Sequence, residues 1–131
     1  HLCDRRQRQM CIRDSYYNLC DVFCMPSYFE AYGLVFAEAL TYGLPCIGRD
    51  KFAMSEFIED GCTGRLISGE DAEELALDLW EVLQDPKYRE EVERRREWYL
   101  REYSWDKVAQ RICSVMEKNE RDKDQYRSAG V

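Results

Sequence analysis

Residues 22–48 predict a strand, a helix and a second strand in immediate succession. The continuous apolar stretch Val22-Phe23-Cys24-Met25 is typical of a strand covered on both faces, and Pro26 ends it because proline lacks a backbone N–H. An apolar helix follows and ends at Gly43, where a left-handed cap is favoured, and Pro45 prevents its continuation into the next strand, 45–48. The pattern predicts one β–α–β unit, and with it an α/β fold with a parallel sheet and flanking helices.

Two carboxylates, Glu30 and Glu38, lie eight positions apart in this unit. In an open parallel sheet, ligands bind beyond the carboxyl ends of the strands, where helix N-termini present unpaired N–H groups. Glu30 lies in such a loop. Gly33 has no Cβ, so we expect close backbone approach there and free N–H groups at Gly33 and Leu34 that meet an anion such as a diphosphate.

Glu38 projects from the same helix, and eight helical residues span roughly 12 Å. Carboxylates suit vicinal hydroxyls, so one glutamate per ring, on either side of a diphosphate, is the pattern expected of a nucleotide-sugar site. The chain carries 26 acidic residues, so two solvated surface glutamates are the alternative.

The segment EAYGLVFAEA, residues 30–39, resembles the E-x7-E signature of retaining glycosyltransferases with two Rossmann-like domains, the GT-B fold, and in particular glycosyltransferase family 4, or group 1. The similarity continues in SEFIEDG at 55–61, TGRLI at 63–67 and YSW at 103–105, and it covers residues 17–116. It implies that Glu38 binds the ribose hydroxyls of a nucleoside diphosphate sugar and that Glu30 contacts the transferred sugar as a catalytic residue. Tyr32, Gly33 and Leu34 complete the implied donor-binding set.

Three departures from that family are visible. Phe52-Ala53 stands where members usually carry Gly-Gly, so the backbone there is expected to approach a ligand less closely. The arginine and lysine that neutralise the diphosphate are expected upstream of this sequence, as is the acceptor-binding domain. The sequence is therefore interpreted as the C-terminal part of a donor-binding domain at 16–116, inactive by itself. It is preceded by an irregular or foreign segment at 1–15 and followed by a charged, disordered tail at 117–131.

Composition narrows the partners. A net charge of −7 argues against nucleic acid, and no apolar run reaches the roughly 18 residues of a membrane span, so membrane contact is expected only through the missing part. The seven cysteines have no metal-ligand spacing, so we expect neither a metal nor a cofactor besides the donor substrate. Cys24, Cys46 and Cys113 are expected to be buried thiols in a reducing cytoplasm.

The second half of the chain predicts a helix at 71–83 and a charged helix from Lys87, in which Arg94-Arg95-Arg96 form a solvated face, and then a helix capped by Ser104. The residues expected to face the core from the first of these helices are Ala72, Leu75, Ala76, Leu79 and Leu83, and those aligned on the last are Trp105, Val108, Ala109, Ile112 and Met116.

The expected function is transfer of a sugar from a nucleoside diphosphate donor to an unknown sugar, lipid or protein acceptor. Two alternatives stay open. A nucleotide-sugar epimerase of the same fold uses a similar pocket, and a non-catalytic nucleotide-binding module would need a partner subunit to supply the acceptor domain.

Overall fold

The computed structural model describes the backbone of residues 2–128 and the side chains of residues 11–119. The chain divides into two compact units, His1–Tyr99 and Leu100–Val131. Its elements, in chain order, are α1 (Leu2–Leu19), β1 (Phe23–Cys24), α2 (Leu34–Thr41), β2 (Cys46–Arg49), α3 (Met54–Phe57), β3 (Gly64–Ile67), α4 (Ala72–Gln84), α5 (Lys87–Glu102) and α6 (Trp105–Ser128).

The three strands form a parallel sheet in the order β1-β2-β3. Phe23 lies opposite Cys46, and Cys46 lies opposite Gly64, so β2 is the central strand. All four residues of β2 are buried, as a strand covered on both faces requires. The predicted β–α–β unit and the α/β fold class are therefore confirmed.

Alternate residues of β2 face two different parts of the core. Ile47 packs with Ile67, Val82 and Tyr88, which come from β3, α4 and α5. On the other face, a Cβ at Gly48 would contact Ile58, Phe36 and Met54. Helices thus cover both faces of the sheet, and the carboxyl ends of the strands remain open to loops.

Gly64 marks the tightest backbone contact between two strands. A Cβ built on it would lie 1.7 Å from the Cys46 carbonyl oxygen, far inside the distance that any side chain tolerates. The β2–β3 pairing therefore depends on glycine at this position.

Predictions about the first fifteen residues and about two of the cysteines differ from the structure. The segment predicted to be irregular or foreign, residues 1–15, is not irregular, because its backbone is helical from Leu2 onward within α1, although no apolar period indicated a helix. Cys24 is exposed, because β1 pairs with β2 alone among the described strands, and Cys113 on α6 is exposed too, whereas Cys46 is buried as expected.

The helices of the second half begin and end close to their predicted positions. Asp71 caps α4 by accepting a hydrogen bond from the Glu73 N–H at 2.9 Å, and Ser104 Oγ accepts one from the Lys107 N–H at 3.2 Å. The predicted tail also differs, since α6 extends to Ser128, and 129–131 lie outside the described residues.

The buried face of α4 is rotated from the predicted one. Asp78 and Val82 are buried, with Leu75 and Leu79 partly buried beside them, while Ala72, Ala76 and Leu83 are exposed. This rotation follows from an ion pair at 3.0 Å between Arg65 Nε on β3 and the Asp78 carboxylate, which allows the charged Asp78 side chain to lie on the buried face of α4.

The solvated interpretation of the arginine triplet holds for Arg94, whose side chain is 69% exposed, whereas Arg95 and Arg96 are half-buried and contact other elements. Arg94 pairs with Glu91, Arg95 with Glu91 and Glu59, and Arg96 with Glu93. On α6, the predicted apolar stripe is exposed at Trp105, Ile112 and Met116.

Candidate donor-binding site

The loop after β1 carries Glu30 to the N-terminus of α2. Its Oε1 accepts a hydrogen bond from the Gly33 N–H at 3.0 Å and lies 3.5 Å from the Tyr32 nitrogen. A carboxylate at this end of a helix is stabilised by the partial positive charge of the unpaired N–H groups. Glu30 is thus anchored through one carboxylate oxygen, at the carboxyl edge of the sheet where the sequence predicted it.

Gly33 is essential to that arrangement, although not for the predicted reason. Its φ of 71° lies in the left-handed region, and a Cβ there would meet Phe36 at 3.1 Å and Phe57 at 3.3 Å. The residue is buried, and its N–H is engaged by Glu30 rather than free for a ligand anion. The prediction of a free Gly33 N–H is therefore wrong, because the chain supplies its own anion.

Glu38 lies further along α2 and reaches the last turns of α1. Its Oε1 pairs with Arg13 at 3.2 Å, and its Oε2 accepts a hydrogen bond from the Tyr17 hydroxyl at 3.3 Å. The side chain remains 37% exposed, so a hydroxyl-bearing ligand has access to it. Neither Arg13 nor Tyr17 was found from the sequence, because α1 showed no apolar pattern to place them.

Tyr17 is held firmly beside Glu38. It is buried, and its ring stacks on Tyr42 with centroids 5.1 Å apart. Burial, together with the neighbouring Glu38 carboxylate, raises the pKa of Tyr17 to about 12. Its hydroxyl therefore stays protonated and acts as a donor to Glu38.

Aromatic side chains surround the mouth of the loop. Tyr32 and Leu34 are 66% and 61% exposed, and the Phe29 ring contacts that of Phe52 in the next loop with centroids 5.1 Å apart. Phe52 has a φ of 56°, which a glycine would adopt without strain. The backbone at Phe52 is therefore left-handed, although this chain has a phenylalanine where members of the resembling family carry glycine.

The structure thus places Glu30, Tyr32, Gly33 and Leu34 together at one helix end, with Glu38 further along the same helix. The two glutamates have different partners. Glu30 is held by backbone N–H groups, whereas Glu38 is held by side chains of α1. The spacing of eight residues predicted neither set of partners: the Glu30 contact is local, but the Gly33 N–H was expected to be free, and the Glu38 contacts depend on tertiary structure.

A cleft with a volume of about 1360 Å³ lies at the opposite, amino edge of the sheet, where Asp21 and Pro45 precede the strands. Its arginines are already paired, Arg89 with Asp21 and Arg96 with Glu93. The third arginine that lines it, Arg94, pairs with Glu91, so each arginine of this cleft already has a carboxylate partner.

The described residues contain neither a metal-ligand cluster nor a membrane-spanning helix. Within that part of the chain, no group of three or more histidine, cysteine, aspartate or glutamate side chains could hold a metal ion. No described helix combines the length and the apolar character needed to cross a membrane.

The parallel sheet with helices on both faces and a polar site at its carboxyl edge defines a Rossmann-like domain of the GT-B type. The family profile of "Glycosyl transferases group 1" matches residues 13–98, and the chain belongs to that family. Both the resemblance and the fold class predicted from the sequence are confirmed.

Relatives and a solved structure agree with that assignment. The D-inositol 3-phosphate glycosyltransferase of Kribbella flavida is 30% identical over 95 residues, covering 72% of this chain and 22% of that protein. The phosphatidyl-myo-inositol mannosyltransferase of Mycolicibacterium smegmatis is 32% identical over 98 residues, covering 74% and 25% respectively. The pneumococcal O-GlcNAc transferase GtfA, solved in complex with UDP and GlcNAc, is 26% identical with a TM-score of 0.54, over 76% of this chain and 22% of that chain. The chain therefore spans about a quarter or less of the length of these proteins.

Proposed function

We propose that this chain binds the nucleoside diphosphate sugar donor of a glycosyltransferase, and that the whole protein transfers the sugar to an acceptor with retention of configuration. The observation that carries the proposal is the Glu30 carboxylate fixed on the N-terminus of α2 by the Gly33 N–H, with Glu38 further along that helix. Family membership and a neighbour solved with UDP support the donor class.

In this mechanism Glu30 orients the transferred sugar. Because Oε1 is occupied by the Gly33 N–H, Oε2 is the oxygen that accepts a hydrogen bond from a sugar hydroxyl. The sugar is then fixed next to the positive end of α2, where negative charge develops as the diphosphate leaves. Tyr32 and Leu34, both exposed at this helix end, complete the wall of the donor site.

Glu38 holds the ribose. Its carboxylate accepts from vicinal hydroxyls, and Arg13 and Tyr17 hold it in one orientation before the donor arrives. A carboxylate already held in place loses less rotamer freedom on binding, which favours affinity.

The partners and the location are proposed with the same site. The acceptor is a sugar, a lipid or a protein, and the acceptor-binding domain belongs to the part of the protein that this chain does not contain. The six described cysteines are all free thiols, which fits the reducing cytoplasm.

The test uses a swapped enzyme, in which the matched segment of the Kribbella flavida relative is replaced by this whole chain. We expect it to transfer a sugar from one member of a panel of radiolabelled UDP-, GDP- and ADP-sugars. The anomeric configuration of the product, measured by proton NMR coupling, should equal that of the donor. An inverted product would contradict retention alone, and the absence of both donor binding and turnover would contradict the proposed function.

Glu30→Gln in the swapped enzyme tests the catalytic role. The amide oxygen still accepts the Gly33 N–H, so the cap loses only its charge, about 0.3–1 kcal/mol of stability. We expect kcat to fall and the donor Kd to change little, because the carboxylate favours the positive charge that develops on the sugar ring as the diphosphate departs, and the neutral amide does not. An unchanged kcat would leave Glu30 as a helix cap without a catalytic role.

The two alternative functions predict different outcomes with the swapped enzyme. An epimerase would release an altered nucleotide sugar without any acceptor, whereas a non-catalytic module would bind the donor and turn nothing over in the swapped enzyme. Chromatography of the nucleotide sugars after incubation without acceptor separates the first from a transferase.

A further inference from the structure

Arg49 ends the central strand at the carboxyl edge of the sheet, and it is 5% exposed. Its guanidinium lies between the loops that follow the two outer strands. It is 4.6 Å from the ring centroid of Tyr28, in the loop that carries Glu30, and its Nη1 donates a hydrogen bond at 2.7 Å to the Gly69 carbonyl, after β3.

The charge of Arg49 has no counter-ion in the part of the chain whose side chains are described. Among the described side chains no carboxylate pairs with it, and its buried Nε has no hydrogen-bond partner. Arg65 on the neighbouring strand shows the contrast, because it pairs with Asp78 at 3.0 Å and with Asp60 at 3.2 Å. A buried charge that lacks a partner is costly, and buried arginines are normally paired.

A purely structural role does not account for the buried and unpaired guanidinium of Arg49. A clamp between the two loops needs the hydrogen bond to Gly69 and the contact with Tyr28, and both are present. Neither neutralises the guanidinium or satisfies Nε. The Tyr28 ring that covers the guanidinium is itself 68% exposed, so the cover can move away without disturbing the core.

We propose that Arg49 is an anion-binding residue of the donor site, which takes an oxyanion of the donor in the place now covered by the Tyr28 ring. The planar guanidinium suits both groups that a nucleotide sugar can offer, a phosphate or a sugar carboxylate. Glu30 follows Tyr28 by two residues, so the loop that covers Arg49 also carries the sugar contact. The proposal rests on the proposed donor-binding function, and it assigns to this chain a cation that the sequence was expected to lack.

The test compares Arg49→Gln and Arg49→Lys in the swapped enzyme with Arg89→Gln. Arg89 is a matched control, since it is an exposed arginine paired with Asp21 at the amino edge. Calorimetric Kd values are measured for uridine, UMP, UDP, UDP-glucose and UDP-glucuronate, and circular dichroism checks that each variant is folded. The uridine series is chosen because GtfA was solved with UDP.

We expect Arg49→Gln to weaken UDP binding at least about tenfold, as for loss of a charge-assisted hydrogen bond, while uridine binding stays unchanged. Arg49→Lys should retain part of the affinity, and Arg89→Gln all of it. A loss confined to UDP-glucuronate would identify a sugar carboxylate, rather than the diphosphate, as the bound oxyanion.

Two results would overturn the assignment of Arg49 and leave the proposed function intact. Equal affinities of the wild type and Arg49→Gln for every ligand would show that the guanidinium meets no anion. An equal loss for uridine and UDP would show a loop clamp. Failure of the unsubstituted swapped enzyme to bind any nucleotide would instead contradict the proposed function itself.

Discussion

Replacing Glu38 by glutamine separates donor binding from stability more cleanly than any other change at this site. Glutamine keeps an oxygen that accepts the Tyr17 hydroxyl, and it keeps the length and shape of the side chain. What it removes is the charge, and with it the ion pair to Arg13 at 3.2 Å. The substitution therefore has two effects of different size, a loss of folding stability and a loss of donor affinity.

The loss of stability is small. The side chains of Arg13 and Glu38 are 46% and 37% exposed, and an ion pair with this much solvent contributes at most about 1 kcal/mol. A charged hydrogen bond to a ribose hydroxyl contributes about 1.5–3 kcal/mol, which corresponds to a KM for the donor raised roughly 10- to 150-fold. Because ribose contacts are similar in the ground and transition states, kcat should fall less.

Glu93→Gln is the matched control. Glu93 pairs with Arg96 at the same 3.2 Å distance, on an exposed part of α5 away from the proposed site. Initial-rate kinetics and thermal melts of the swapped enzyme carrying each substitution give KM, kcat and stability. We expect both variants to melt near the parent and only Glu38→Gln to raise KM. If Glu38→Gln left both binding and rate unchanged, Glu38 would be a solvated surface group and the assignment of the site would lose its main support.

Four further outcomes are expected. The isolated chain should not transfer sugar from radiolabelled donors, because orientation of the acceptor by its own domain can lower such barriers by about 7–11 kcal/mol. Turnover that co-purifies with the isolated chain would refute this expectation. Chelation should leave the swapped enzyme active, and rescue by one particular divalent ion would contradict that expectation. Gly64→Ala should abolish the cooperative melt, since its Cβ would lie 1.7 Å from a backbone oxygen. The control is Gly61→Ala, where φ is 73° and the space around the residue is open, and it should lower the free energy of unfolding by only about 1–2 kcal/mol. The folded state holds the Tyr17 proton up to a pKa of about 12 against 10.0 for a free tyrosine, so stability should fall as pH rises from 10 to 12, and a denaturant titration of Tyr17→Phe should show a shallower fall.

Much of the fold could be predicted because the signals are local. Pro26 ends the first strand, Gly43 takes its predicted left-handed φ of 80°, and Asp71 and Ser104 cap α4 and α6. Each of these depends on backbone chemistry within a few residues, which the sequence states directly. The rotation of α4 could not be predicted in this way, because Asp78 is buried by its pairing with Arg65 on another element.

The candidate site divides in the same manner. The sequence by itself determined that Glu30 and Glu38 occupy one strand–loop–helix unit, since their spacing and the glycine between them are properties of a short segment. The local structure of the loop decided that Glu30 accepts the Gly33 N–H, and tertiary contacts decided that Arg13 and Tyr17 hold Glu38. The tertiary structure alone placed Arg49 under Tyr28, with no counter-ion among the described side chains. The partners of Glu38 and Arg49 come mainly from other elements of the fold, and the packing of those elements against one another, rather than any local pattern, brings these side chains within hydrogen-bonding distance.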